Sequence, residues 1–215
     1  MICGVDEAGK GAVIGPMVIA AVGCRRQSDL AALGVRDSKL LSPSRRELIY
    51  EKIAASFPFS VVSISAPEID AMRLSRGMNT IVAEAHAAVI ADLAPECAIV
   101  DACDVNAARY GAMVANCLPT PCRIVAEHRA DERHACVGAA SIIAKVTRDR
   151  AVAALRDEYG AIGSGYPSDA ATTAFLRAFV AEHQRPPACA RASWKTVTAL
   201  CTAASQRTLG DFTEG

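Results

Sequence analysis

The chain has no excess charge of either sign: 23 lysines and arginines stand against 23 aspartates and glutamates in 215 residues. A neutral balance argues against binding a polyanion through bulk charge, although it leaves room for a local basic patch. Long hydrophobic runs are missing too. The longest nearly apolar stretch, Gly11–Cys24, has 14 residues with Pro16 inside it, whereas a bilayer span needs about 20. No cationic segment leads into a short apolar run and a cleavage site, so the chain reads as non-secreted and cytoplasmic. None of the nine cysteines forms a C-x-x-C pair, their number is odd, and most sit in apolar surroundings such as Ile2-Cys3-Gly4. That argues against a disulfide scaffold or a cysteine zinc site and predicts small buried hydrophobes in a reducing compartment. Repeats and low-complexity tracts are absent as well.

What the chain does have is apolar bulk of a particular kind. Apolar residues make up 52% of it, and 43 of the 215 are alanine, so the positive mean hydropathy needs no membrane. The length suits one large domain or one and a half. Strand-like segments are Met1–Asp6, the β-rich part of Ala12–Gly23, Phe57–Ser65, Glu96–Val100 and Arg123–Ala126. Helices are expected over Arg45–Ser56 (launched by Ser42-Pro43), Pro67–Leu74, Asn79–Leu93, Asn106–Asn116, a long one from about Ala135 to Tyr159, Ala170–His183 and Ser193–Ala204. This alternation predicts an α/β layer over residues 1–160, a helical appendage over 161–205, and a tail over 206–215.

The first motif is deceptive. Gly4-Val5-Asp6-Glu7-Ala8-Gly9-Lys10-Gly11 has the front of a phosphate-cradling G-x-x-x-x-G-K loop, but Gly11 stands where Ser or Thr must hold magnesium. Two carboxylates inside that loop would also repel phosphate. They make better sense as acids at the end of a buried strand, where an unpaired charge is costly and calls for a cation. Asp101 ends a second buried strand, and Asp131 follows a third. Acids at strand ends of an α/β sheet converge on one edge, and oxygen-only ligands select magnesium or manganese over zinc. Each acid taken alone has a plainer reading, as a helix cap or the partner of a nearby cation; Asp104 suits a cap and Glu132 a first-turn acid. Adjacent residues of a regular strand face opposite ways, so convergence of Asp6 with Glu7 predicts that the strand ends or bulges near Glu7.

Taken together, Asp6-Glu7-Ala8-Gly9-Lys10-Gly11, Gly15-Pro16, Asp37-Ser38-Lys39, Val100-Asp101, Ala130-Asp131, the run from Ala139 to Asp149, Gly163-Ser164-Gly165-Tyr166-Pro167-Ser168-Asp169 and Ser193-Trp194-Lys195-Thr196 resemble type 2 ribonuclease H, ribonuclease HII, in order and spacing. The resemblance implies an RNase H-like fold, a mixed five-stranded sheet flanked by helices. It implies hydrolysis of the RNA strand of RNA–DNA hybrids and of single ribonucleotides embedded in duplex DNA, cutting 5′ of the ribonucleotide to leave a 3′-hydroxyl and a 5′-phosphate. Asp6, Glu7, Asp101 and Asp131 then correspond to the catalytic, metal-binding acids. Two magnesium or manganese ions about 4 Å apart can activate water and stabilise the leaving oxygen. No histidine base is required, so His86, His128, His134 and His183 are expected to be solvated or structural.

Substrate recognition follows from the same resemblance. Gly9-Lys10-Gly11 matches the family's Gly-Arg-Gly loop, whose backbone reads the 2′-hydroxyl, with Lys10 replacing arginine; glycine lets backbone come close to a sugar. Tyr166 matches the tyrosine that stacks on the ribose. Lys39, Arg46, Ser141, Lys145 and Arg148 are candidates for holding phosphates, Lys145 and Arg148 lying three apart on one helix. Gln206, Leu209 and Phe212 resemble a peptide that docks a PCNA-like sliding clamp, with Thr213 in place of a second aromatic. That tail points to the archaeal branch, and the family implies a monomer. The competing readings are a DNA-directed nuclease of the same fold and a non-catalytic hybrid-binding module.

Overall fold

The computed structural model describes residues 1–35 and 41–210, excepting the side chains of 207–210. In chain order it contains β1 (Ile2–Ala8), β2 (Met17–Cys24), α1 (Gln27–Ala31), α2 (Pro43–Ser56), β3 (Phe59–Ile64), α3 (Ala66–Arg73), α4 (Met78–Leu93), β4 (Cys97–Asp101), α5 (Ala107–Cys117), β5 (Arg123–Glu127), α6 (Ala130–Arg133), α7 (Ala135–Tyr159), α8 (Ala170–His183) and α9 (Lys195–Gly210). The sheet has the order β3-β2-β1-β4-β5. β1 pairs antiparallel with β2 and parallel with β4, and β4 pairs parallel with β5. This is the expected mixed five-stranded sheet with flanking helices.

Local signals set most of the boundaries. The Ser42 hydroxyl accepts the Arg45 N–H and Pro43 occupies the first turn of α2. Ser65 and Glu68 form a reciprocal capping box on α3, and Asn106 rather than Asp104 caps α5. Two short helices, α1 and α6, escape the sequence reading, and α9 continues through Gly210 where a tail was expected from residue 206. Its alanine- and threonine-bearing turns carry no glycine or proline before Gly210 to stop it.

The chain divides into two compact units whose composition departs from the expected boundary at residue 160. The first comprises Met1–Ala8, Val18–Ser63 and Arg76–Thr147; the second comprises Gly9–Met17, Ile64–Ser75 and the chain from Arg148. In the first, all eight residues of β2 are buried, and Val18, Ala20, Val22, Ile49, Ile53 and Ile99 pack with the Ala135–Val146 part of α7. Small residues let that helix lie directly on the sheet. A methyl group at Gly4 of β1 would stand 2.2 Å from the Cys136 carbonyl carbon and the Val137 nitrogen. In the second unit Val13, Ile14, Val152, Ile162, Leu176 and Val197 form the core, and Ile14 bridges to Ala190.

All nine cysteines are free thiols. Cys3, Cys24, Cys136 and Cys189 are buried as expected, whereas Cys117 is exposed and the others are half-buried. Among the described residues no helix is long and apolar enough to cross a membrane.

The Gly4 contact gives a test of the packing. Gly4→Ala is expected to lower stability by roughly 3 kcal/mol or more, because backbone rather than a flexible side chain must move. Gly11→Ala, whose added methyl meets nothing within 4 Å, should change stability by less than about 0.5 kcal/mol. Chemical denaturation of the two variants makes the comparison.

Candidate active site

The register of the parallel strands sets Val5 beside Val100, which brings Asp6 of β1 level with Asp101 at the carboxyl end of β4. After β5 the chain reverses at Arg129, which adopts a left-handed conformation (φ 56°), and enters α6 with Asp131 in its first turn. The Asp101 carboxylate accepts the Ala130 N–H at 2.9 Å, fixing the start of α6 against the end of β4. Asp6 and Asp131 are buried, at 6% and 4% exposure, and Glu7 and Asp101 are half-buried. All four predicted acids therefore lie in the first unit, at one end of adjacent strands.

Their environment is strained electrostatically. The Asp6 carboxyl is raised above the usual carboxylate range, chiefly by burial and then by the charge of Glu7; Asp101 adds to the rise, while a hydrogen bond from Ser141 and the charge of Lys145 oppose it. Lys145 Nζ lies 2.6 Å from Ser141 Oγ, so α7 delivers one cation and one hydroxyl to the acid. Ser141 was expected to hold a phosphate. It has no exposed surface, and its hydroxyl serves Asp6 and Lys145 instead.

Of the two alternatives expected near Glu7, an end or a bulge of the strand, the structure has the end: β1 stops at Ala8 and has no bulge. β1 pairs regularly with β2 through Asp6↔Ala20, Glu7↔Ile19 and Ala8↔Val18, so the two acids diverge as alternation demands. Glu7 meets α4, where His86 Nε2 stands 3.2 Å from its Oε2. His86 is fully buried, and its Nδ1 is 3.1 Å from the hydroxyl of Tyr110 on α5. The pairing Glu7–His86–Tyr110 was missed from sequence. Its one signal was a polar residue inside the apolar run Ala85-His86-Ala87 of a helix buried along most of its length.

Among the described residues no three acids, histidines or cysteines stand together at metal-ligand spacing. The donor set nevertheless fits a hard divalent cation: four carboxylates, two of them buried, and no sulfur among them. A cation there would relieve the repulsion that raises the Asp6 carboxyl. Close by, Asp104 fixes the loop after β4 by accepting from the Asn106 N–H at 2.9 Å, from Asn79 at 2.8 Å and from Arg109. Those bonds hold its carboxyl down at about 2, the Asn106 N–H first. His134 and Arg133 both contact Glu127, and the His128 ring reaches the Ala102 carbonyl.

The second unit holds the other predicted group. Gly9 has φ +83°, and a methyl there would stand 2.4 Å from Arg148 Nε. Glycine at this position thus makes room for an arginine on one side of the loop; a methyl at Gly11 would meet nothing within 4 Å. Arg148 is 3% exposed, which corrects the expectation that it holds phosphate. Its guanidinium donates to the Ile14 and Ser164 carbonyls and lies 4.6 Å from the centre of the Tyr166 ring. Tyr166 and Lys10 are half-buried. In the first unit Arg46 is half-buried on α2. Lys39 and Phe212 lie outside the described residues; Gln206 is exposed on α9, whose backbone includes Leu209.

Comparison with known proteins agrees over nearly the whole chain. A family model described as Ribonuclease HII matches residues 3–197. A ribonuclease HII from Methanoregula boonei is 56% identical over 212 residues, covering 99% of this chain and all of its own. Among solved structures, a PCNA:RNase HII complex from Archaeoglobus fulgidus contains a chain with a TM-score of 0.87 and 43% identity, covering 93% of this chain and 96% of that one. Ribonuclease H2 from Pyrococcus horikoshii OT3 has a TM-score of 0.88 at 35% identity, covering 95% and 98%. With buried strand-end acids, a mixed five-stranded sheet and matches of this length, the chain belongs to the ribonuclease HII family, in its archaeal form.

Proposed function

We propose that the acids Asp6, Glu7, Asp101 and Asp131 are the catalytic centre of this ribonuclease H, and that Gly9-Lys10-Gly11 with Tyr166 select a ribonucleotide for it. Family membership makes the chain an endoribonuclease acting on RNA–DNA hybrids. The observation that carries the assignment of residues is geometric: the register sets Asp6 level with Asp101, the Asp101 carboxylate accepts the Ala130 N–H next to Asp131, and Asp6 and Asp131 are buried. Magnesium or manganese ions held by these acids would polarise the scissile phosphate, lower the pKa of an attacking water and stabilise the leaving 3′-oxygen. The chain's own contribution is positional. His86 orients Glu7, the Ala130 N–H orients Asp101, and Ser141 with Lys145 orients Asp6 and offsets its charge. The products would be a 3′-hydroxyl and a 5′-phosphate, with the cut 5′ of the ribonucleotide.

Discrimination between RNA and DNA requires contact with the 2′-hydroxyl. The exposed Gly11 backbone and the half-buried Tyr166 ring support that role for the loop. This reading covers single ribonucleotides embedded in duplex DNA as well as long hybrids. Lys10 in place of arginine removes a bidentate donor, but the backbone groups are unaffected. Free thiols throughout are compatible with a reducing cytoplasm. The Archaeoglobus relative was solved with PCNA, which supports a role for Gln206, Leu209 and Phe212 in docking a similar clamp, the enzyme otherwise acting as a monomer.

A duplex carrying one ribonucleotide, incubated with manganese, should be cut once, and an otherwise identical all-DNA duplex should stay intact. Equal cutting of both would overturn the ribose-reading assignment. Asp101→Asn and Asp131→Asn should each lower kcat by about a hundredfold or more while hybrid affinity changes by less than about threefold. Normal rates in both variants would mean that the metal ligands are elsewhere.

For the tail, deleting Gln206–Gly215 should weaken binding to a PCNA-like clamp by about tenfold or more and leave cleavage of short duplexes within about twofold. Surface plasmon resonance on the clamp, alongside a cleavage assay, separates the two effects.

A further inference from the structure

The Gly9–Gly11 loop is held by one buried arginine and packed against a second, and the terminal N–H groups of both end on backbone carbonyls. Arg191 has no exposed surface. Its guanidinium donates to the carbonyls of Gly9 at 2.7 Å, Lys10 at 2.9 Å and Gly15 at 3.2 Å. Arg148 takes the Ile14 and Ser164 carbonyls and lies over Tyr166. Burying a guanidinium is costly unless its donors find partners; here five carbonyls take the terminal N–H groups, while the Nε of each arginine is buried without a hydrogen-bond partner. Burial and the neighbouring Arg148 lower the pKa of Arg191 to about 10, which leaves it cationic at neutral pH.

Arg191 is itself fixed from three sides. Its backbone N–H donates to the Val13 carbonyl at 2.9 Å, and the Trp194 ring lies 5.0 Å from its guanidinium. Asp70 of α3 takes the N–H groups of Ala192 at 2.7 Å and Ser193 at 3.1 Å, together with the Ser193 hydroxyl. The peptide bonds here are trans. In a trans peptide the carbonyl of one residue and the N–H of the next point in opposite directions. Drawing the Gly9 and Lys10 carbonyls inward onto Arg191 therefore turns the N–H groups of Lys10 and Gly11 away from it.

We propose that Arg191, seconded by Arg148, is a positioning residue for ribose recognition: it holds two loop carbonyls inward so that the Lys10 and Gly11 amides face the 2′-hydroxyl. This rests on the reading that the loop and Tyr166 select the ribonucleotide. A lysine at 191 would keep the charge but lack the planar fork that reaches three carbonyls at once. Asp70 acts one step further out, by fixing the segment that carries Arg191.

The test measures kcat and KM with manganese on a duplex containing one ribonucleotide, and Kd for the all-DNA duplex, in the full-length chain. Arg191→Lys should raise KM by about tenfold with kcat within about threefold and the all-DNA Kd within about twofold. Asp70→Asn, at a half-buried position, should raise KM by about threefold. Tyr166→Ala tests the underlying reading. If it leaves KM unchanged, ribose reading by this loop is wrong and the positioning role falls with it. If Tyr166→Ala raises KM while Arg191→Lys and Asp70→Asn do not, the positioning role alone is overturned. A parallel loss of kcat and all-DNA affinity in Arg191→Lys, with a broadened melt, would make the residue merely structural. Should Arg191→Lys fail to fold, Asp70→Asn decides: a native melt with unchanged KM overturns the proposal.

Discussion

The register of β1 carries Asp6 into the interior, where its carboxylate is repelled by Glu7 and Asp101. Around that repulsion the first unit is built. Its sheet ends there, α4 contributes His86 and α7 contributes Ser141 and Lys145, and the reversal at Arg129 brings the Ala130 N–H to Asp101. A buried acid matched by an arginine would be stable and also neutralised. Burial and the charges of Glu7 and Asp101 instead disfavour the ionised form of Asp6, and a divalent ion at the site would reverse that preference.

The second unit faces the opposite problem. Arg148 and Arg191 are buried cations whose hydrogen-bond partners are carbonyls. The glycines around them belong to this arrangement. A side chain at Gly9 would overlap Arg148, and one at Gly165 would lie 2.9 Å from its Nη2 and 2.7 Å from the Ile14 carbonyl. In the second unit backbone dipoles meet the terminal N–H groups of these cations without cancelling their charge. The cost in both units is desolvation, visible as the raised Asp6 carboxyl and the lowered pKa of Arg191.

Much of this was legible in the residues. Strand-end acids, the alternation of strands and helices, and the caps at Ser42-Pro43 follow from local chemistry, and α7 and α8 stand where periodicity places them. The failures have physical causes. Lys145 and Arg148 share a helix, so spacing alone assigns them one task; one serves the buried acid and the other is itself buried. At Gly9 a missing side chain does not say which side of the backbone an arginine crowds. His86 was passed over since a lone histidine among alanines has no pattern, and its partners lie 79 and 24 residues away in sequence. Arg191 gave no signal for a related reason, as its partners lie more than 170 residues upstream.

The balance of 23 basic and 23 acidic residues first argued against a polyanion-binding protein. That sum weights every charge equally, and the structure shows why it misleads. Two of the arginines are turned inward onto carbonyls and add nothing by direct contact with a phosphate. Lys145 is engaged with Ser141 and offsets the charge of Asp6. The four acids proposed as the catalytic centre, meanwhile, would repel a phosphate brought to them. Affinity for a polyanion at such a site depends on what neutralises the carboxylates, because two divalent ions would convert the local charge from negative to near neutral. On the proposed reading, specificity would then fall to groups that carry no net charge at all, the amides of the loop and the Tyr166 ring. Such contacts are insensitive to total charge, which is how a chain of zero net charge can be a selective nuclease.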